Sequence, residues 1–245
     1  MGSGYIVQRG GGKDYSAFKA LADKSITEVT AEMLDGITSI GVTAFASCTS
    51  LTSITIPSSV TTIGEMAFDS CTSLSSVTIP SGVTSIGNYA FSSCRALTSI
   101  DIPSGVTSIG GHAFASCSAL TSVTIPNGVT RINESLFYYC RALTSITIPS
   151  SVTSIWRYAF SGCSALASVT IPISVTSIQD YAFYQCTSLT SVTVEATTPP
   201  TLGSYAFTGT HANLVIYVPA GSVDTYKAAN NWSTYASMIQ AIPST

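Results

Sequence analysis

Residues 51–71 read LTSITIPSSVTTIGEMAFDSC, and residues 74–94 read LSSVTIPSGVTSIGNYAFSSC. The second stretch is the first with small changes, carried forward by 23 residues. Cysteine keeps the same step, at 48, 71, 94, 117, 140, 163 and 186. So do phenylalanine, from Phe45 to Phe183, and proline, from Pro57 to Pro172. A fixed period of this kind marks a chain built from stacked copies of one unit. Propeller blades need about 40 residues each and are excluded; a leucine-rich type of repeat, at roughly 20–29, fits.

The unit can be read residue by residue. Leu51, Ile54 and Ile56 are apolar while Thr52, Ser53 and Thr55 are polar, so the run ends in the alternation of a half-buried strand. Pro57 has no N–H to continue a ladder, and the strand must stop there. A turn of the form PSS, PSG or PNG follows. Val60 and Ile63 point back inward. The motif G-x-x-A-F-x-x-C then brings Ala67, Phe68 and Cys71 in, through a short 3₁₀ or helical turn. One unit cannot cover its own flat faces, so neighbours must stack, with their strands parallel at about 4.8 Å. The expected architecture is mainly β with short 3₁₀ and α turns: a solenoid of parallel strands with about eight coils and small helical caps.

Each cysteine closes the inward set of its coil and reads as a small buried hydrophobe. Laddered side chains point in parallel and the seven thiols are an odd number, which argues against disulfides. No C-x-x-C pair occurs and the only histidines are His112 and His211, so no metal site is expected.

Three segments are expected: 1–25, a lead-in with a capping helix over 14–25 that Ser16 caps; 26–210, the repeats; and 211–245, a strand and helix cap. The first coil is 26–48, and 198–207 belongs to a last coil that lacks its Cys. In the cap, 213–219 reads as a strand and 222–242 as helical turns, with Tyr226, Trp232 and Tyr235 sealing the final open face.

The chain is 45% hydrophobic and 9% charged, against about 25% charged in a typical globular protein. Ser and Thr take over the work of Lys and Glu in keeping it in solution. The net charge is -3, and Lys13, Lys19, Lys24 and Lys227 all lie outside the repeats. No basic stripe exists, which excludes nucleic-acid partners. No apolar run approaches the roughly 18 residues of a membrane span. The mean hydropathy of +0.40 therefore reflects repeated core positions.

Catalytic chemistry is poorly supported. RGGGKD at 9–14 has Asp14 after Lys13 and the wrong glycine spacing for a phosphate loop. Serine is so frequent that a Ser–His–Asp grouping would be accidental, and no catalytic residue or cofactor is predicted. The outward strand column Ser53, Ser76, Ser99, Ser122, Ser145, Ser168 and Ser191 is all serine, and only Asp101 interrupts the Thr column beside it. This reads as a solvated face, with a platform for a glycan or an extended peptide as the functional alternative.

Variation concentrates between the inward Ile and the Cys, and just after the Cys. Seven residues stand out as candidate ligand contacts: Arg131, Tyr138, Tyr139, Arg141, Trp156, Arg157 and Tyr184. Tyr138 stands where repeats two to four have Asp69, Ser92 and Ala115. Trp156 stands where they have Gly64, Gly87 and Gly110. Trp, Tyr and Arg are the residues that most often anchor interfaces. The tyrosines just before A-F, at 89, 158, 181 and 205, read instead as packing.

LTSITIPSSVTSIGxxAFxxC, repeated from Ile26 to Phe207, resembles the BspA-like leucine-rich repeats. The segment YVPAGSVDTYKAANNWSTYASMIQAI looks like the one that often closes such arrays. The resemblance implies a curved, right-handed solenoid. It also implies a bacterial surface protein, since some relatives adhere to host matrix or to other cells, and related arrays occur in phages of gut bacteria. It carries over no catalytic residues. The expected function is a non-enzymatic binding or adhesion module for a protein or glycan ligand, monomeric, without a membrane span, at the cell surface or outside the cell. A structural spacer and a phage-tail-associated receptor-binding protein are the alternatives. Because no signal peptide is visible in MGSGYIVQRGGGKDY, a phage-associated or cytoplasmic location stands beside the surface one.

Overall fold

A computed structural model describes residues 25–244; the helix expected over 14–25 lies outside them apart from Ser25. The chain winds as a parallel-strand solenoid of about nine turns with few helices. Coils are numbered here by their closing Cys position: coil one ends at Cys48, coil two at Cys71, coil five at Cys140, coil six at Cys163 and coil seven at Cys186.

Each of these coils except the sixth contributes a strand to each of two sheets. In coil two the longer strand, Ser53–Thr55, turns Ile54 inward and Ser53 and Thr55 outward. It pairs with Ser76–Thr78 in the register Ser53↔Ser76, Ile54↔Val77, Thr55↔Thr78. The shorter strand, Thr62–Ile63, pairs with Ser39–Ile40 before it and Ser85–Ile86 after it. Between the two, the proline turn closes on its own carbonyl: the Val60 N–H donates to Pro57 O at 3.1 Å, and Val83 to Pro80 likewise at 3.1 Å.

The stretch from Gly to Cys does not form a 3₁₀ helix. It is a run of turns in which alternate N–H groups have different partners. Ala67, Asp69 and Cys71 donate locally, to Gly64, Met66 and Phe68 at 3.3, 3.1 and 3.1 Å. Met66, Phe68 and Ser70 donate to the next coil, to Asn88, Ala90 and Ser92 at 2.8, 2.7 and 2.8 Å. A helix would spend every N–H inside its own coil; this alternation stitches coil to coil. It requires left-handed backbone at two columns, the residue before A-F and the residue before Cys. Met66 and Ser70 have φ of 53° and 61°, and Tyr89 and Ser93 have 56° and 58°.

The core is continuous along the solenoid. Phe45 stacks on Phe68 with centroids 5.2 Å apart and planes 3° from parallel, and the stack runs on through Phe91, Phe114, Phe137, Phe160 and Phe183 to Phe207. Offset stacking of this kind adds roughly 0.5–1.5 kcal/mol per pair beyond area burial. The cysteines are free thiols, all buried. The six from Cys71 to Cys186 are more than fillers, because the S–H of each donates to the Phe carbonyl of the coil before. Cys71 reaches Phe45 O at 3.0 Å and Cys117 reaches Phe91 O at 3.1 Å. Those carbonyls already accept the N–H of their own coil's Cys, so the thiol occupies the second lone pair.

Close approach decides the Gly column. A Cβ on Gly64 would lie 2.8 Å from the Gly41 backbone, and one on Gly87 would lie 2.5 Å from Glu65 N. In coils five to seven the column carries Asn133, Trp156 and Gln179 instead. Where side chains first enter it, the short-strand sheet is interrupted, between Ser108–Ile109 and Arg131–Ile132. There the Asn133 Nδ2 donates to Ile109 O at 2.6 Å, a carbonyl that a backbone N–H takes in the earlier coils. The long-strand sheet is interrupted next to it. The 143–149 stretch of coil six is joined to coil five in that ladder by a single bridge, Thr124↔Thr147.

At the C-terminal end the strand Val215–Val218 adds to the long-strand sheet, followed by the helix Val223–Ala228 and the 3₁₀ turns Trp232–Met238. The last residues of the stretch expected to be helical form a strand instead, Ile239–Ala241, parallel to Val215–Val218 with Ile216 opposite Ile239. This strand raises the turn count to nine. Tyr226, Trp232 and Tyr235 are buried over the open face as expected.

Burial pushes the thiol pKa of Cys71, Cys117 and Cys186 up to about 12. An unfolded thiol ionises near 8.5, so the unfolded chain loses protons first and stability should fall as pH rises above about 8.5. Urea midpoints measured from pH 7 to 10 check this. Thiol reagent should find about seven groups in denaturant and far fewer in the native protein. Cys117→Ser should destabilise by about 1–3 kcal/mol, because a hydroxyl is costlier to bury. Gly87→Ala should cost more than about 2 kcal/mol through overpacking. Gly82→Ala, whose Cβ would meet nothing closer than 3.4 Å, should stay within about 1 kcal/mol of wild type.

Candidate functional site

All seven candidate residues project from the core on coils five to seven, and the structure gives them definite neighbours. The guanidinium of Arg131, at the start of Arg131–Ile132, lies 4.7 Å from the Trp156 ring centroid in the next coil. Trp156 follows the strand Ser154–Ile155, and its Nε1 donates to Ser154 Oγ at 3.3 Å. Arg157 Nε pairs with Glu134 Oε1 at 2.9 Å. Tyr138 meets Tyr158 edge-on, centroids 6.2 Å apart. Arg141 lies 5.2 Å over the ring of Tyr139. Three of these contacts, Arg131–Trp156, Glu134–Arg157 and Tyr138–Tyr158, clamp coil five to coil six. Tyr184 is apart from that clamp and packs edge-on against Tyr181 at 5.4 Å.

The tyrosines form one surface patch. Tyr139 meets Tyr138 at 4.4 Å, nearly perpendicular, and Tyr138 leads on to Tyr158. Tyr158 stacks on Tyr181 at 4.9 Å, and Tyr181 on Tyr205 at 5.2 Å. Local backbone explains the arrangement. Tyr139, Tyr158, Tyr181 and Tyr205 all sit in the left-handed columns, with φ from 55° to 59°. That conformation turns their side chains out, while the Ala and Phe that follow three of them turn in. Tyr139 also needs room beside it. A Cβ on Gly162 would come within 2.8 Å of its ring, and Gly162 itself has φ 75°.

Burial among neighbouring rings raises the phenol pKa of Tyr138, with Tyr139 adding to it, and raises that of Tyr181, with Tyr158 and Tyr205 adding. These hydroxyls are neutral donors and acceptors at physiological pH. A second, smaller stack, Tyr89 on His112 at 4.4 Å, lies on coils three and four. Burial lowers the His112 pKa, so its imidazole is neutral as well.

Sequence reasoning set Tyr158, Tyr181 and Tyr205 aside as packing. They do stack, but on the surface: Tyr205 is 56% exposed. The usable signal was their place just before the inward Ala-Phe pair, in the column whose left-handed backbone turns the side chain out. The Ser and Thr columns of the long strands face outward as expected. Among the described residues no group of three His, Cys, Asp or Glu could hold a metal ion. No helix among them is long and apolar enough to cross a membrane.

The model of the BspA type leucine rich repeat region matches residues 15–144 and 130–229, in six copies. A leucine-rich repeat protein from Bacteroides ovatus, of known structure, is 30% identical with a TM-score of 0.67. The match covers 80% of this chain and 56% of that one, so this chain spans little more than half of that protein's length. A T. pallidum leucine-rich repeat protein is 31% identical over 62% of this chain and 69% of its own, with a TM-score of 0.48. One from Eubacterium ventriosum is 28% identical over 84% and 70%, with a TM-score of 0.46. No curated protein matches.

Proposed function

We propose that this chain, which belongs to the BspA-type leucine-rich repeat family, is a non-enzymatic binding module. It recognises a protein or glycan at a cell or matrix surface, and it works outside the cell. The observation that carries this reading is the tyrosine patch from Tyr139 to Tyr205, spread over four coils and flanked by Arg141. Tyrosine offers large, rigid contact area at low conformational-entropy cost, and a hydroxyl at its tip. Coil closure does not need these rings. The column of Tyr138 and Tyr184 holds Asp69, Ser92, Ala115 and Ser161 in sister coils, which close in the same way.

A spacer reading draws on one specific observation: Arg131–Trp156 and Glu134–Arg157 are satisfied within the chain. The two readings separate on one variant. Tyr138→Ser with Tyr184→Ser copies sister coils and should leave the melting transition intact. Binding to whichever member of a glycan array or a panel of immobilised matrix glycoproteins the wild type captures should fall at least tenfold, about 1.4 kcal/mol. Capture of no member would favour the spacer, and capture that the double variant leaves untouched would remove the tyrosine patch as the binding surface.

A further inference from the structure

A groove of about 420 Å³ lies beside the clamp, over the short strands Ser177–Ile178 of coil seven and Thr201–Leu202 of the coil after it. Trp156 forms one wall. Ser177, Gln179 and Gly203 line the groove with it, and the charged Glu134, Arg157 and Asp180 flank it. The Gly column creates it, because Trp156 and Gln179 fill that column in successive coils and Gly203 then leaves it empty. The vacancy is fixed by packing: a Cβ on Gly203 would lie 2.2 Å from Asp180 N. Arg131 approaches the indole from coil five, and on the coil-seven side the groove runs from Trp156 past Gln179 to Gly203.

The polar groups are held in place and have capacity to spare. Gln179 Oε1 accepts the Arg157 N–H at 3.3 Å, and Asp180 Oδ1 accepts the Ser204 N–H at 2.6 Å. That leaves Gln179 Nε2 and Asp180 Oδ2 without a partner among the described residues. The charges nearly balance. Arg157 is paired with Glu134 at 2.9 Å and also feels Asp180. A cationic ligand would compete with Arg157 for both acids, and an anionic ligand would face them. What remains is a flat apolar face rimmed by an amide, a carboxylate oxygen and a hydroxyl, which suits a neutral polyhydroxylated ring.

We propose that this groove is a saccharide subsite: one pyranose stacks its C–H face on Trp156, and its hydroxyls meet Gln179, Asp180 and Ser177. The proposal rests on the binding-module reading and gives it a ligand class at one place.

The chain has two tryptophans, and Trp232 is 1% exposed beneath the cap, so a ligand-induced change in emission reports Trp156. The probes are trisaccharides of glucose, mannose, galactose and N-acetylglucosamine, titrated into the whole chain. At least one should give a saturable change in Trp emission. Asp180→Asn and Gln179→Ala should each weaken it at least tenfold with the melting transition unchanged. Trp156→Gly, followed by calorimetry, should abolish it. No saturable change with any of the four, or a change that both polar variants leave untouched, would overturn the subsite. So would a change produced only by an arginine-rich peptide and lost in salt, which would assign the groove to a cation. Capture of a matrix glycoprotein that depends on Tyr138 and Tyr184 and persists when the trisaccharides fail would remove this subsite alone and leave the binding module standing.

Discussion

The separation of successive backbones governs this molecule. Coil-to-coil hydrogen bonds set it, and every column of side chains must then live with a neighbour of its own kind about 5 Å away. Rings tolerate this well: the phenylalanine stack holds centroids between 5.1 and 5.7 Å along its whole length. A thiol fits because it reaches one coil back to a carbonyl. In the Gly column of coils two to four even a methyl group would press on the backbone of the coil before. The conserved letters of the repeat are thus the side chains that can be stacked on themselves at this distance, together with the one that must be absent.

The C-terminal end shows the same constraint from the other side. The last coil has polar backbone groups that expect a further coil, and the cap answers them one at a time. Asn231 Nδ2 donates to Leu202 O at 2.6 Å, where another coil would offer a backbone N–H. Tyr235 Oη accepts the Phe207 N–H at 3.2 Å, in place of the next Ala carbonyl. Trp232 Nε1 donates to Pro200 O at 2.8 Å and Tyr226 Oη to Ala196 O at 2.7 Å. Apolar cover alone would strand these groups at a cost of about 1–3 kcal/mol each. The aromatic positions of the cap were legible in the sequence as cover. Their polar tips, matched to single carbonyls and N–H groups, were not, because that depends on where the last coil ends in space.

The coil itself could be read from periodicity, since inward positions, proline stop and Cys ladder all follow from one unit stacked on itself. What could not be read is where stacking fails. LTSITIP occurs at both 51–57 and 143–149. In the first copy Ser53–Thr55 is a strand, and in the second only Thr147 makes a bridge. Identical residues cannot encode that difference, so it comes from the neighbours. Coil five has brought a Cβ into the Gly column at Asn133, and the sheets are interrupted on both sides of it. The left-handed columns were hidden for a related reason. Ser, Tyr, Met and His all occupy them, so composition gives no sign; only the alternation of hydrogen-bond partners does.

Side-chain pairs gather where the sheets are interrupted, and this bears on what each surface can offer a partner. Arg131–Trp156 and Glu134–Arg157 bridge coils five and six next to the interruptions, so a ligand that drew them apart would work against the clamp. Tyr181 and Tyr205 lie outside the clamp, which Tyr138 and Tyr158 share, but the geometry of the row limits it in another way. Tyr158, Tyr181 and Tyr205 lie face to face along the axis, so their inner ring faces are already used. They present edges and hydroxyls, which suit a hydrogen-bonding protein surface better than a stacked ring. Aromatic surface is on offer at Tyr205, the last ring of its row, and at Trp156, which the groove reaches past Gln179 from the vacancy at Gly203. One solenoid therefore carries two chemically different surfaces on adjoining columns, a row of phenol edges and a groove lined by one indole, and both follow from which columns happen to be filled in neighbouring coils.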